Sequence, residues 1–338
     1  MQSWIKSIQM ERLIKRKKQM TIKNKVGKQD DKENHLKSLL VKAGYYSPRL
    51  LAISTPNDLS RNLKCDLTTS ENVIKWAINK VANSPTFRSA EEIYHSRNEQ
   101  PKLGTGSKAF NNILGGGMET GVMTEFFGHS GSGKTQICYN LCINVQQPVT
   151  LGGLEGRAIY IDTENKFSSK RIVEIATERN LDSERVLKNI ILATPVNSLD
   201  QEASLEKIAS ILEKENKIKL VILDSIINHY RLEFKGRESL SERQAKLEKC
   251  VRLLSNIAQL YNVAVVITNQ VNSEPDSFTQ KQIALGGNVL AHASKHRIEM
   301  RTIGKNFCAK IFSSSSLPLW DTSFSITKSG IADSLNYQ

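Results

Sequence analysis

Val122-Met-Thr-Glu-Phe-Phe-Gly128-His-Ser-Gly-Ser-Gly133-Lys134-Thr135-Gln-Ile-Cys138 is the stretch on which the reading of this chain turns. Its apolar run to Phe127 has the length of a buried strand, and the residues after Gly133 open a helical pattern. Between them lies G-x-x-x-x-G-K-[ST], in the strand–turn–helix context that the motif requires. Gly128, His129, Ser130, Gly131, Ser132 and Gly133 are expected to curl so that backbone N–H groups face a phosphate. The helix N-terminus beyond them adds about half a positive charge. Lys134 is then placed to reach the β and γ phosphates of a nucleotide, and Thr135 to hold Mg²⁺.

Working outward, four more short apolar runs follow: Ala158 to Ile161, Ile190 to Leu192, Leu220 to Leu223 and Val263 to Thr268. Stretches of helical pattern separate them, which predicts an α/β fold: a mostly parallel sheet with helices on both faces. Two of these strands end in acids. Asp224 closes Leu220-Val-Ile-Leu-Asp and is expected in the magnesium shell. Glu164 lies just past Ala158-Ile-Tyr-Ile-Asp162-Thr, where ligands of open sheets collect, and can take a proton from an attacking water. Either acid could instead cap the next helix. Gln270, at the end of the last strand, could sense a γ-phosphate and pass the signal to the loop after it, or simply bond backbone.

The 338 residues carry 47 Lys and Arg against 34 Asp and Glu, a net charge of +13, with 39% hydrophobic residues. That apolar content excludes wholesale disorder. No apolar run approaches the roughly 18 residues of a membrane helix, so no membrane partner is expected. The charge is concentrated: residues 1–28 hold nine Lys or Arg and only Glu11, for +8. Such an arm is either a solvated tail or a holder of acidic polymers. The expected organisation is a basic, disordered tail over 1–34 and a small helical domain over 35–84. A linker over 85–100 and an ATPase core over 101–338 complete it. The five cysteines form no C-x-x-C pair, which suits a reduced interior.

Several longer stretches are more specific than the phosphate loop. They are Gly104-Thr-Gly-Ser-Lys, Leu114-Gly-Gly-Gly-Met-Glu-Thr-Gly, Tyr160-Ile-Asp-Thr-Glu-Asn, Ile267-Thr-Asn-Gln-Val and Gly286-Gly-Asn-Val-Leu-Ala-His-Ala-Ser. With them the chain, from about Leu36 to Asp333, resembles the RecA-type DNA strand-exchange recombinases. Asn165 and the run from Val173 to Asp182 look more archaeal than eukaryotic. The resemblance implies a RecA-type P-loop ATPase core preceded by a helix-hairpin-helix-like domain, working in DNA repair on single- and double-stranded DNA. It implies Glu164 as the activator of water, with Lys134, and Gln270 as the switch between nucleotide and DNA. Arg171 falls where the family contacts adenine. Residues 231–243, with Arg231, Lys235, Arg237 and Arg243, correspond to a first DNA loop. Residues 272–285 correspond to a second, followed by Gly286 and Gly287. Phe87-Arg-Ser-Ala90 matches the F-x-x-A motif that plants a Phe in a neighbouring subunit, and His292 matches a family His at the subunit boundary. Used head to tail, such a contact builds a helical filament or ring.

The resemblance also implies a second recombinase or a mediator among the partners. The implied location is the cytoplasm, on the nucleoid, for an archaeal chain, or the nucleus for a eukaryotic one. Three departures stand out. The hairpin segment Cys65-Asp-Leu-Thr-Thr-Ser-Glu has no Gly, Ser313 and Ser315 stand where the family usually places Asp and Pro, and Gln280 and Lys281 replace Pro-rich residues. They keep open the alternative of a paralog that assists a recombinase without exchanging strands. A RecA-fold ATPase with a protein partner is the other alternative, one that loss of the first-loop arginines would favour.

Overall fold

The computed structural model describes residues 38–81, 87–236, 238–272, 283–304 and 306–334. The basic tail, Arg237 and residues 273–282 of the second loop therefore lie outside the described residues. Two compact units divide the chain, 1–89 and 90–338.

In the first unit, helices α1 (Pro48–Ala52), α2 (Pro56–Leu63) and α3 (Leu67–Val81) each begin at a side-chain cap or a Pro. Ser47 and Thr55 accept from the N–H groups of Leu50 and Asp58, with Pro in the first turn where its missing N–H costs nothing. Asp66 does the same for α3, accepting from Thr69 N at 2.8 Å and Thr69 Oγ1 at 2.6 Å. The Asp of the glycine-free hairpin is thus a helix cap, and Lys64 takes the left-handed turn (φ 50°) that glycine would favour. Leu40, Leu51, Leu59, Leu63, Val73, Ile74 and Ala77 form the core of this unit.

The second unit opens with α4 (Ala90–Asn98), so the stretch read as a linker over 85–100 is helical through most of its length. No residue of α4 is buried, and without an apolar stripe the sequence gives no periodic signal for it. Its charges suit the helix dipole, Glu91 and Glu92 in the first turn and Arg97 in the last. There follow α5 (Lys108–Ile113), β1 (Met123–Phe127) and α6 (Lys134–Asn144). Next come β2 (Arg157–Asp162), α7 (Ser169–Glu178), α8 (Ser183–Lys188), β3 (Ile190–Ala193) and α9 (Ser198–Lys214). After them come β4 (Ile218–Asp224), α10 (Asn228–Glu233), α11 (Leu240–Tyr261) and β5 (Ala264–Asn269). A short antiparallel pair, β6 (Val271–Asn272) and β7 (Ile283–Ala284), leads to α12 (Gly287–Ala293). The chain closes with β8 (His296–Ile303), β9 (Asn306–Ser314), β10 (Asp321–Thr327) and β11 (Gly330–Asp333).

Nine of these strands form one sheet, in the order β11-β10-β9-β8-β1-β5-β4-β2-β3. The five strands expected from the sequence are all present and parallel, and β8 joins β1 in the same sense. Strands β9 to β11 extend the sheet antiparallel. The sequence reading stops short of them because their outward faces are polar or exposed. The apolar runs alternate between two cores. Ala158, Tyr160, Leu220, Ile222, Ala264 and Val266 face one, while Ile159, Ile161, Val221, Leu223, Val265 and Ile267 face the other. A period of two with both faces apolar is what burial between two helical layers requires.

Candidate functional site

The C-terminal ends of β1, β2, β4 and β5 converge on the loop between β1 and α6. Gly128 there passes so close to Met300 that a Cβ would strike its carbonyl oxygen, and Gly133 takes φ 92° as the cap of α6. Only glycine fits both places. His129, Ser130 and Gly131 stand exposed at the rim while Gly128, Ser132 and Gly133 are buried. The Lys134 ammonium lies within the loop, donating to the carbonyls of Gly128 and His129 at 2.8 Å each. Burial pushes its pKa down, and the Asp224 and Glu164 carboxylates oppose that.

Asp224, at the end of β4, is held by three hydroxyls. Thr135 Oγ1 donates to Oδ2 at 2.9 Å, Tyr160 OH to Oδ2 at 2.6 Å, and Thr268 Oγ1 to Oδ1. Its pKa is raised by burial, against the lowering effect of those hydrogen bonds. Among the described residues no group of three or more His, Cys, Asp or Glu is arranged so that it could hold a metal ion. A cation beside Thr135 and Asp224 would have positions open to phosphate and water. Hard oxygen donors with open positions suit Mg²⁺, which dehydrates reluctantly and keeps several waters.

Glu164 follows β2, and its Oε1 accepts from Gln270 Nε2 at 2.8 Å and Ser225 Oγ at 3.0 Å. Lys166 Nζ donates to Oε2 at 2.6 Å. Burial raises this carboxyl, but the hydrogen bonds from Lys166, Ser225 and Gln270 outweigh it and leave the group below the ordinary range. Asp162 serves the loop itself, taking the N–H groups of Glu164 at 3.0 Å and Phe167 at 2.7 Å. Neither acid that ends these strands caps a helix. Gln270 sits at the foot of the β6–β7 pair, where its carbonyl accepts from Leu285 N at 2.9 Å. One residue thus joins the carboxylate to the arms of the second loop.

Arg171 stands on α7. Its guanidinium donates to Gln136 Oε1 at 3.0 Å, Glu174 Oε2 at 2.5 Å and the carbonyls of Thr327 and Lys328 in the β10–β11 turn. Arg231 lies in the last turn of α10, and both it and Lys235 are exposed. Arg243, in the first turn of α11, is half-buried and reaches the Phe234 carbonyl at 3.4 Å. Asn228 ties α10 to the glutamate loop, donating to Thr163 O at 2.6 Å. Gly286 and Gly287 head α12, and His292 is exposed in its last turn. Phe87 is 98% exposed and Ala90 opens α4. Tyr160, Ser225, Asn228, Thr268 and Lys166 were not singled out from the sequence. Each lies beside a motif; Tyr160, Ser225, Asn228 and Thr268 reach their partners only across neighbouring strands and loops, while Lys166 pairs within its own loop.

A parallel sheet with a glycine-rich phosphate loop after its central strand, two strand-end acids and a paired glutamate defines a P-loop ATPase core of the RecA type. The chain belongs to the Rad51 family, whose model matches residues 96–334. It is 41% identical over 296 residues to the DNA repair and recombination protein RadA of Metallosphaera sedula, covering 87% of this chain and 91% of that protein. Among the described residues no helix is long and apolar enough to cross a membrane.

Proposed function

We infer that the chain is an ATP-driven DNA recombinase: it assembles on single-stranded DNA, pairs it with a homologous duplex and exchanges strands in DNA repair. What carries this reading is the joining of a hydrolytic site to a DNA-facing loop through Gln270, in a chain 41% identical to a recombination protein along most of its length. That breadth of likeness favours a recombinase over a paralog that only assists one.

Lys134 and the loop N–H groups bind the β and γ phosphates, and Arg171 contacts the adenine. Thr135 and Asp224 hold Mg²⁺, which when bound neutralises charge on the phosphate oxygens. Water attacks the γ-phosphorus, Glu164 takes its proton, and the bond to the β-bridging oxygen breaks to leave ADP and phosphate. Loss of the γ-phosphate alters what Glu164 and Gln270 contact, and the second loop with Gly286 and Gly287 loosens its hold on DNA. Arg231, Lys235, Arg237 and Arg243 of the first loop meet the phosphate backbone. Phe87 and Ala90 join subunits head to tail, with His292 near the boundary. A mediator or second recombinase is a further partner, and the place of action is beside chromosomal DNA.

Strand exchange by the purified protein, with ATP, Mg²⁺ and homologous DNA, tests the reading. The wild type is expected to form joint molecules and exchanged product, and Lys134→Ala to lose ATP hydrolysis and exchange together. Intact DNA binding with no exchange by the wild type would return the paralog to favour.

A further inference from the structure

The loop that carries Glu164 is fixed along its backbone. Asp162 binds its N–H groups at 164 and 167, and Tyr139 OH donates to the Lys166 carbonyl at 3.0 Å while accepting from Ser168 N at 2.9 Å. The Phe167 ring packs edge-on against Tyr139 and Tyr160, with centroids 5.5 and 5.0 Å away. The side chain between these anchors faces solvent: Lys166 is 68% exposed.

Its ammonium sits on a particular atom. Gln270 and Ser225 both approach Glu164 Oε1, and among the described residues Lys166 alone approaches Oε2, at 2.6 Å. A carboxylate oxygen that already accepts from an ammonium is a poor acceptor for the proton of a water. An ion pair whose cation is open to solvent adds little to stability. The phosphate loop lies close by: Ser225, which donates to Glu164 Oε1 at 3.0 Å, directly follows Asp224, whose carboxylate accepts from Thr135 Oγ1 at 2.9 Å. A γ-phosphate there would carry more negative charge than the carboxylate does and would compete for the same cation.

We propose that Lys166 is a second phosphate-binding cation of the site: its ammonium moves from Glu164 Oε2 to the γ-phosphate, and in leaving frees the carboxylate to accept the proton of the attacking water. The inference rests on the reading of the loop as an ATP site. It makes Lys166 a sensor of the third phosphate, because only ATP offers a competitor for its contact with Glu164.

The test measures binding of fluorescent ADP and of a fluorescent non-hydrolysable ATP analogue to wild type, Lys166→Met and Lys166→Arg, with Mg²⁺. Lys166→Met should bind ADP within about twofold of wild type and the ATP analogue about tenfold or more weakly. Lys166→Arg should recover most of the analogue affinity, because the charge is restored on a stem of similar reach. An unchanged ratio of analogue to ADP affinity in Lys166→Met would overturn the proposal, as would an equal loss for both nucleotides, the mark of a merely structural residue. Failure of the wild type to bind either nucleotide would instead remove the ATP site on which the proposal stands.

Discussion

At the residue scale, the phosphate loop, Thr135, Asp224 and Glu164 were legible because each follows a strand at a spacing that the chemistry dictates. Tyr160 and Thr268 were not. Each reads as an ordinary strand residue, and its hydroxyl reaches Asp224 only because β2, β4 and β5 lie side by side. Lys166 was missed for another reason: a lysine after an acid in a polar loop reads as a solvated charge. Glu164→Gln keeps the shape of the side chain and an oxygen for Gln270 and Ser225, but it cannot take up a proton. ATP should still bind while turnover falls roughly 100-fold or more. A parallel loss of nucleotide affinity in equilibrium titrations would mark the residue as structural. The sign of the pH dependence follows from the carboxyl's lowered pKa. As a base it must be ionised, so kcat/KM for ATP should hold level as pH falls to the ordinary glutamate range and decline only below it.

At the element scale, the contacts that place the sheet under the site include an ionic cluster between the segment before β1 and the start of β8. Glu119 lies 3.9 Å from His296 Nε2, 2.5 Å from Lys295 Nζ and 3.9 Å from Lys102 Nζ. His296 and Lys295 together hold its carboxyl down, against the opposing effect of burial, to about 2 from an ordinary 4.5. The sequence hid this cluster because β1 and β8 pair across more than a hundred and fifty intervening positions. The parallel strands, by contrast, were legible from their apolar runs alone, and α4 was invisible for lack of any buried face. A carboxyl whose folded pKa is depressed stabilises the fold above its unfolded value, and that contribution fades as pH falls from about 4.5 toward 2. Glu119→Gln should therefore cost about 1–2 kcal/mol at pH 7, allowing for partial exposure. Urea midpoints of wild type and variant should converge as the pH drops through that window. A gap that stayed constant down to the lowest pH at which both fold would show that the loss is one of shape and not of charge.

At the scale of the whole molecule, what matters is which surfaces are left to join copies together. The sheet ends in β11 on one side and β3 on the other. The first edge is occupied at its end, because Asp333 accepts from Ser107 Oγ and Ala109 N and so fastens β11 to the start of α5. At the second edge, Ile191 and Ala193 are partly buried against the core under α9 and α11, and Leu192 is 43% exposed. Which strand would form that edge was not legible, since strand order depends on pairings far apart in the chain. Phe87 was legible, as a large apolar residue among polar neighbours, and its ring is 98% exposed. Burying about 100 Å² of that ring in a neighbour would contribute about 2.5 kcal/mol per contact at roughly 25 cal/mol/Å². The β3 edge, where Leu192 is exposed, is a physical match for an apolar side chain brought by a neighbour. Repeated head to tail, the contact does not close on a pair, so its loss acts at every joint of the assembly. Phe87→Glu should leave a folded protein with its ATP affinity intact, because the phosphate loop lies in the second unit. It should sediment as a monomer and fail to coat single-stranded DNA. Sedimentation velocity of wild type and variant, each with and without ATP, reads this directly, and unchanged oligomers in Phe87→Glu would place the joint on another surface.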